Sequence, residues 1–479
     1  MKSFYWYDLE TSGTNPRTDR ILQFAGQRTD LTLAEEVAPK VLYCRLPDDV
    51  LPDPEAITIT GITPQQVERE GLDERAFSAE VEAELSVGET CAVGYNSLRF
   101  DDQFIRHLLY RNFYDAYARE WREGNSRWDI LDLARTAGAL RPEGIHWPRD
   151  ENEHPVYRLG ALAEANGIAH ERAHDALSDV RATIGLARLI KQRQPRLFDY
   201  SLRLRDRRFV ESLLLPLAAK ALVHVSGRIA RERDCLALVA TLAQHPVNRN
   251  AYVVWDLSLD PEPLLTRSGD EVRELLSTPV AERDEDAPPI GLKLVRTNRC
   301  PSLAPLSVVR HADRERLGLD VERALRHLRW IQSHAELAEK LQTVYREAEP
   351  YPQRDVEGAL YDGFIGDDDR DLFPRVRGAS AAELAASALE FHDPRLPELL
   401  FRYRARNFAD SLNAEEQARW HSFVRSRLTG HDDDAISLET YFERLERLRS
   451  GSGDQTHEKV LAALFAHGRT MTLRYGVDA

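Results

Sequence analysis

The stretch FYWYDLET, residues 4–11, constrains this chain more than any other. Its aromatic run, Phe4 to Tyr7, reads as a β-strand, and side chains two apart on a strand point to the same face. Asp8 and Glu10 therefore share one face, offering oxygen ligands suited to hard cations such as Mg2+ or Mn2+. An Asp-x-Glu pair alone is a weak signal, because paired acids decorate many solvated strand ends. Three later residues change its weight: Asp101 in NSLRFDDQF, and His174 with Asp179 in AHDALSDV. Together they are the parts of a two-metal phosphodiesterase.

The spacing of these residues sets geometric conditions. Phe100, Phe104 and Leu108 form one apolar stripe on a helix beginning near Phe100, which leaves Asp101 on a flank near the mouth of a site. Asp102 beside it reads as a helix-dipole acid. In AHDALSDVRATIGLARL, the stripe Leu177, Val180, Ile184 and Ala187 puts Asp179 beside a buried face. On an ideal helix His174 would be rotated by about 140° from Asp179, so the two share a site only if His174 lies in the turn before the helix. Asp8 would then bridge two cations roughly 3.5 to 4 Å apart, with Glu10 and Asp179 completing one site and Asp101 holding the other through water. His174, whose intrinsic pKa is near neutral, is suited to accept a proton from the attacking water.

At 479 residues the chain exceeds a single core. Residues 1–194 alternate strand and helix signals, with strands expected at 3–9, 21–27, 40–46 and 90–95 and helices at 101–120, 129–139, 157–166 and 175–192. Thr63 before Pro64 reads as a helix N-cap. RQPRLFDYSLRLRDRR, 193–208, looks like an arginine-rich connector. A β-rich stretch with a trailing helical segment is expected over 195–349, and an all-helical domain over 350–479. GDDDRD (366–371) and GHDDDA (430–435) lack the register of a calcium loop and read as solvated loops. The four cysteines, Cys44, Cys91, Cys235 and Cys300, are widely spaced and read as buried thiols, neither zinc ligands nor a disulfide framework. A signal region and an apolar membrane span are both missing from the pattern, so a cytoplasmic protein without membrane contact is expected. The net charge of −15 does not exclude nucleic acid, because an acidic metal centre requires only a local basic track beside it.

The order Asp-x-Glu-Thr, Asn-x-x-x-Phe-Asp and His-x-x-x-x-Asp resembles the DEDD exonucleases of the DnaQ-like, ribonuclease-H-like superfamily. Asp175 occupies the position where the tyrosine subtype has its tyrosine, so the histidine subtype is favoured. RNFYDAY, NSRWDILDL, LRPEGIHWP, RQPRLFDY, LVHVSG, HPVNRNA and YRARNF extend the likeness along essentially the whole chain to the bacterial exonuclease I family. That resemblance implies an α/β ribonuclease-H-like exonuclease domain, a small SH3-like β domain and an all-α C-terminal domain, together enclosing a groove for the strand. It implies a monomer that removes mononucleotides processively from the 3′ end of single-stranded DNA in repair and recombination, with two Mg2+ per site or Mn2+ in their place. The first motif departs from the family's common form at Leu9 and Ser12, which bears on base contacts at the 3′ terminus.

Sequence-independent binding of a single strand needs cations for phosphate and flat side chains for bases. RHLLYRNFYDAYAREWREGNSRW supplies both through Arg106, Arg111, Tyr114, Tyr117, Trp121 and Trp128, half of whose aromatics are expected in the core. By resemblance, strand contacts fall on Arg106, Tyr117, Trp121, Arg135, Arg158, Arg207, Asn250, Lys293 and Asn298, with Glu10 and Arg158 at the terminal nucleotide. The family also docks the acidic, Phe-terminated tail of single-stranded DNA-binding protein, and the matching positions are Arg141, Tyr200, Lys220 and Arg310. Val321 and Gln332 replace basic residues of that ridge. Two rivals remain: a 3′ exonuclease acting on RNA or in proofreading, which would not need the residues beyond the first domain, and a catalytically silent strand-binding scaffold, which would be expected to lose a ligand. All five catalytic positions are filled.

Overall fold

The computed structural model describes residues 1–170, 175–278, 290–346, 354–386, 389–430, 435–451 and 455–477. It falls into two compact units: Met1–Ser126 with His170–Arg181 and Tyr351–Ala479, and Arg127–Ala169 with Ala182–Pro350. No described helix is long and apolar enough to cross a membrane.

In the first unit β1 (Ser3–Thr11) is the organising strand. Phe4, Tyr5, Trp6 and Tyr7 are all buried, as expected for a strand covered on both faces. β2 (Ile21–Thr29) runs antiparallel to β1, pairing Asp8 with Ala25 and Glu10 with Gln23. β3 (Lys40–Tyr43) pairs antiparallel with β2, and β4 (Thr90–Gly94) runs parallel to β1 on its other side. The Trp6 indole N–H donates to the Thr29 hydroxyl at 2.9 Å, satisfying a polar group that burial would otherwise strand. Helix Asp101–Arg111 follows the β4 end.

The C-terminal helices belong to this same unit because they share its cores. Leu22, Ile57 and Val67 pack with Val424, Leu438 and Tyr441 in one cluster, and Tyr110 and Phe113 with Phe373, Leu399 and Tyr403 in another.

A short strand, β5 (Ser126–Asp129), leads into helix Ile130–Leu140 of the second unit. There β6 (Leu222–Val225), β7 (Leu236–Gln244), β8 (Ala251–Asp256), β9 (Leu292–Arg296) and β10 (Ser302–Pro305) form an antiparallel sheet in the order β10-β6-β7-β8-β9. Helices Val321–Gln332 and Glu336–Arg346 place Ala324, Leu328, Leu337 and Leu341 in the core beneath it.

Several expectations are corrected. The arginine-rich connector is two helices, Pro195–Arg203 and Arg207–Leu214, with Pro195 at a first-turn position where its missing N–H costs nothing. GDDDRD is no solvated loop: its acids open helix Asp367–Gly378, and Asp369 is buried, accepting from the backbone N–H groups of His392 (2.8 Å) and Asp393 (2.9 Å). Asp102 is fully buried and accepts from the Tyr7 hydroxyl at 2.7 Å and from Arg119 at 2.5 Å, which makes it a structural ion pair and not a dipole acid. GHDDDA falls partly at 431–434, outside the described residues. The Thr63 cap is as expected, its side chain accepting from Gln66 N–H, and all four cysteines are free and buried.

Candidate active site

The period-two geometry of β1 brings Asp8 and Glu10 to one face, and helix Ala176–Arg193 brings Asp179 to them. One carboxylate oxygen from each of the three lies within 4.8 Å of the others. Asp101, in the first turn of its helix, is 3% exposed, and its Oδ1 accepts from the Leu9 backbone N–H at 3.1 Å. That bond fixes Asp101 against the strand residue lying between Asp8 and Glu10.

The electrostatics are those of crowded acids. Burial first, then the negative charges of Asp101, Asp179, Glu10 and Asp175, raise Asp8 well above the usual carboxylate range. Burial, followed by Asp179, Asp101 and Asp175, pushes Glu10 up to about 8. Such a set is stable as anions only with a compensating positive charge. Its donors are all oxygens, the chemistry of a hard divalent cation, so the residues fit the metal that the motif implies.

His174 lies outside the described residues, and the helix carrying Asp179 begins at Ala176. Two groups outside the expected catalytic and ligand set stand beside it. His170 Nε2 shares a hydrogen bond of 2.5 Å with Asp179 Oδ1. Asp175 caps the helix by accepting from Ser178 N–H at 3.1 Å and adds to the charge on Asp8 and Glu10. The signal for His170 was present as a second histidine four residues before His174.

The remaining expected contacts divide between the units. In the first, Arg106 is buried, its guanidinium held by Glu120 (2.6 and 2.9 Å) and lying 5.1 Å over the Tyr117 ring. Trp121 is 62% exposed with Arg122 over its ring, whereas Trp128, in the second unit, is a core residue packed edge-on to Phe198.

In the second unit Arg158 is exposed at the start of helix Leu159–Ala165. Arg135 pairs with Asp132 at 3.1 Å and packs on Gly227, where an added Cβ would come within 2.7 Å of its guanidinium. Lys293 reaches the adjoining turn, donating to the Arg228 carbonyl at 3.0 Å. Arg207 is half-exposed and bonded to Glu211, Asn298 is exposed, and the Asn250 carbonyl accepts from Thr297.

Arg141 and Arg310 both turn toward Asp313, at 3.5 and 3.0 Å, and Arg310 also meets Glu143 at 2.7 Å. The Tyr200 hydroxyl donates to the Leu303 carbonyl at 3.0 Å, exposed Lys220 donates to Ser212, and Gln332 donates to the Ala218 carbonyl. Val321 is buried.

Three family models match consecutive segments: Exonuclease over 5–187, Exonuclease I SH3-like domain over 205–347, and Exonuclease I C-terminal domain over 354–471. Exodeoxyribonuclease I of Escherichia coli is 42% identical over 469 residues, covering 98% of both chains. The chain belongs to the exonuclease I family. Exonuclease I from Methylocaldum szegediense has a solved structure with TM-score 0.94 and 46% identity, covering 98% of this chain and 100% of that one. The E. coli exonuclease I structure in complex with a dA16 oligonucleotide matches equally, with TM-score 0.94 and 41% identity over 98% and 100% of the two chains. A zinc-bound form of the E. coli protein with single-stranded DNA (TM-score 0.94, 41% identity) and an SSB/Exonuclease I structure with an inhibitor (0.91, 39%) have the same fold, each covering 98% of this chain and 100% of its own.

Proposed function

We propose that this chain is a 3′-5′ exodeoxyribonuclease that hydrolyses single-stranded DNA to 5′-mononucleotides, using divalent cations held by Asp8, Glu10, Asp101 and Asp179. The observation that carries this reading is the convergence of the Asp8, Glu10 and Asp179 oxygens within 4.8 Å, in a family whose relatives are named exodeoxyribonuclease I. A bound divalent cation supplies Lewis-acid stabilisation of the phosphoryl and leaving oxygens and lowers the pKa of water. The oxygen donors suit a hard cation such as Mg2+, and the E. coli relative's structure holds zinc, which carboxylates also ligate.

The chain's own residues divide the remaining work. His174 accepts a proton from water as its oxygen attacks the terminal phosphorus. The P–O3′ bond breaks, O3′ of the penultimate nucleotide takes up a proton, and the terminal nucleotide leaves with its 5′-phosphate. Asp101, tied to the Leu9 N–H, keeps the acid face in register with β1. The resemblance to exonuclease I assigns Glu10, and separately Arg158, to the terminal nucleotide. Arg106, Tyr117 and Trp121 in the first unit and Arg135, Arg207, Asn250, Lys293 and Asn298 in the second contact the rest of the strand. Trp121 is the exposed ring of this set, in keeping with base stacking.

The SSB/Exonuclease I structure supports a second partner, the acidic C-terminal tail of single-stranded DNA-binding protein, at Arg141, Tyr200, Lys220 and Arg310. Arg141 and Arg310 already face Asp313, so the tail's carboxylate would compete with an internal acid. The buried Val321 and the amide of Gln332 leave this ridge less basic than a family member with cations there. We further propose a cytoplasmic monomer acting in repair and recombination.

The test is hydrolysis of 3′-labelled single-stranded oligodeoxynucleotide by the full chain. Mononucleotide release is expected with Mg2+, and is lost in EDTA and in Asp179→Ala. Release that survives EDTA would overturn the reading.

A further inference from the structure

The 3-10 turn Ala359–Tyr361 runs through a short loop into helix Asp367–Gly378, and at the loop's centre Phe364 is 92% exposed, more than any other large apolar residue described. A single exposed apolar side chain ordinarily needs no explanation. This one stands on a loop that is tied down on every side. Arg395, held by Asp393, donates to the carbonyls of Ala359 (2.6 Å) and Gly363 (3.1 Å). Arg354 donates to Asp362 at 3.1 Å, and Ile365 packs into the core beside Phe113 and Phe373. Tyr361 donates its hydroxyl to Gln103 at 2.6 Å, accepts from Arg106 at 3.3 Å, and meets the His107 ring edge-on at 5.9 Å. Gln103 lies two positions beyond Asp101 on the same helix, and Arg106 is the cation stacked on Tyr117.

A loop fixed this firmly has already met the ordering cost that binding would otherwise incur. It spends that order on presenting a bare ring. The acids nearest it in sequence, Asp362, Asp367 and Asp368, are exposed, so the phosphates flanking a stacked base are left to cations elsewhere and Phe364 offers a contact to the base face alone. A flat uncharged contact with a base face suits such surroundings, and it continues the Arg106, Tyr117 and Tyr361 cluster.

We propose that Phe364 is a stacking platform for one nucleobase of single-stranded DNA, fixed through Tyr361 to the helix that carries Asp101. This rests on the single-strand reading above and adds a contact from the C-terminal segment, where the motifs place none.

The experiment measures binding of fluorescent single-stranded oligonucleotides to the full chain in EDTA by anisotropy, for wild type, Phe364→Ala, Phe364→Leu and Phe364→Trp. Wild-type binding is expected, with about tenfold weaker binding for the Ala and Leu variants and near-wild-type affinity for Trp. The dependence on salt should keep one slope across all four, because no phosphate contact is lost. A strand with a single abasic site at the stacked position should erase the difference between wild type and Phe364→Ala. Equal affinity of wild type and Phe364→Ala, a loss shared by Trp, or a loss that persists on every abasic strand would overturn the proposal. Failure of the wild-type protein to bind any strand would instead sink the single-strand reading, and this proposal with it.

Discussion

Glu357 and Arg20 form an ion pair at 2.7 Å with each side chain only 1% exposed. Around them Arg406 donates to Asp49 (2.7 Å) and Glu357 (2.5 Å), Arg402 to Asp355 (2.7 Å), and Arg111 to Glu74 (2.7 Å). The network joins the segment between β1 and β2 to the C-terminal helices. Burial alone would raise Glu357, but Arg406, Arg20 and Arg402 hold its carboxyl well below the usual range. Charges buried at this density are tolerable only when each is paired.

Glu357→Gln should therefore lower the melting temperature sharply, at a cost of about 3–5 kcal/mol for leaving arginines uncompensated. Arg449→Ala, which removes a pair with Glu446 whose side chains are 63% and 52% exposed, should change stability by no more than about 1 kcal/mol. Scanning calorimetry of the two variants checks this, and equal small shifts would contradict it.

His107 gives an acid signature. Burial, then the Arg111 charge, pushes its imidazole from 6.5 down to about 3. The unfolded chain gains this proton as pH falls through 6.5, while the folded chain resists it until about 3. Stability is whole above that window and is lost within it, at up to about 1.4 kcal/mol per pH unit. His107→Gln should flatten the difference curve in denaturant melts between pH 6.5 and 4, measured against wild type.

Metal binding should displace protons. In the metal-free chain Glu10 holds its proton up to about 8, and Asp8 is raised as well. Cation affinity should fall as pH drops below about 8, because carboxylic acids must ionise to ligate. Calorimetric titrations with Mg2+ in buffers of different ionisation enthalpy should show proton release at neutral pH and little well above that value.

Adjacent acids should separate by readout. Asp101→Ala should reduce turnover on the order of 100-fold or more with a near-normal melting temperature, since several kcal/mol of transition-state stabilisation depend on the acid face. Asp102→Ala removes the partner of buried Arg119 and of Tyr7, so its main effect should be on stability. Paired melting and activity measurements distinguish the two.

How far the sequence discloses these arrangements depends on range. β1 was legible because an aromatic run ending in spaced acids has one periodicity, and the sheet of the second unit because its strands are β-branched and bounded by turns. Helix Pro54–Thr60 was not among the expected helices, because its β-branched ITIT carries no helical pattern and only Asp53 as cap and Pro54 in the first turn mark its start. The acids at 367–369 read as a loop because their helix is marked only by charge at its N-terminus, and the backbone groups that Asp369 accepts lie more than twenty residues away. Arg20 and Glu357 are 337 positions apart, and no local pattern announces such a pair. His170 was hidden by the nearer His174, whose spacing matches the motif.

The central claim is hydrolysis from the 3′ end of a single strand, and the most direct measurement compares 3′-labelled with 5′-labelled DNA, single-stranded and duplex, in Mg2+. The account predicts that labelled mononucleotide appears at the earliest times from the 3′-labelled single strand, while label at the 5′ end of a single strand stays on progressively shorter fragments and duplex resists. Early release of the 5′ label, or equal degradation of duplex, would contradict it.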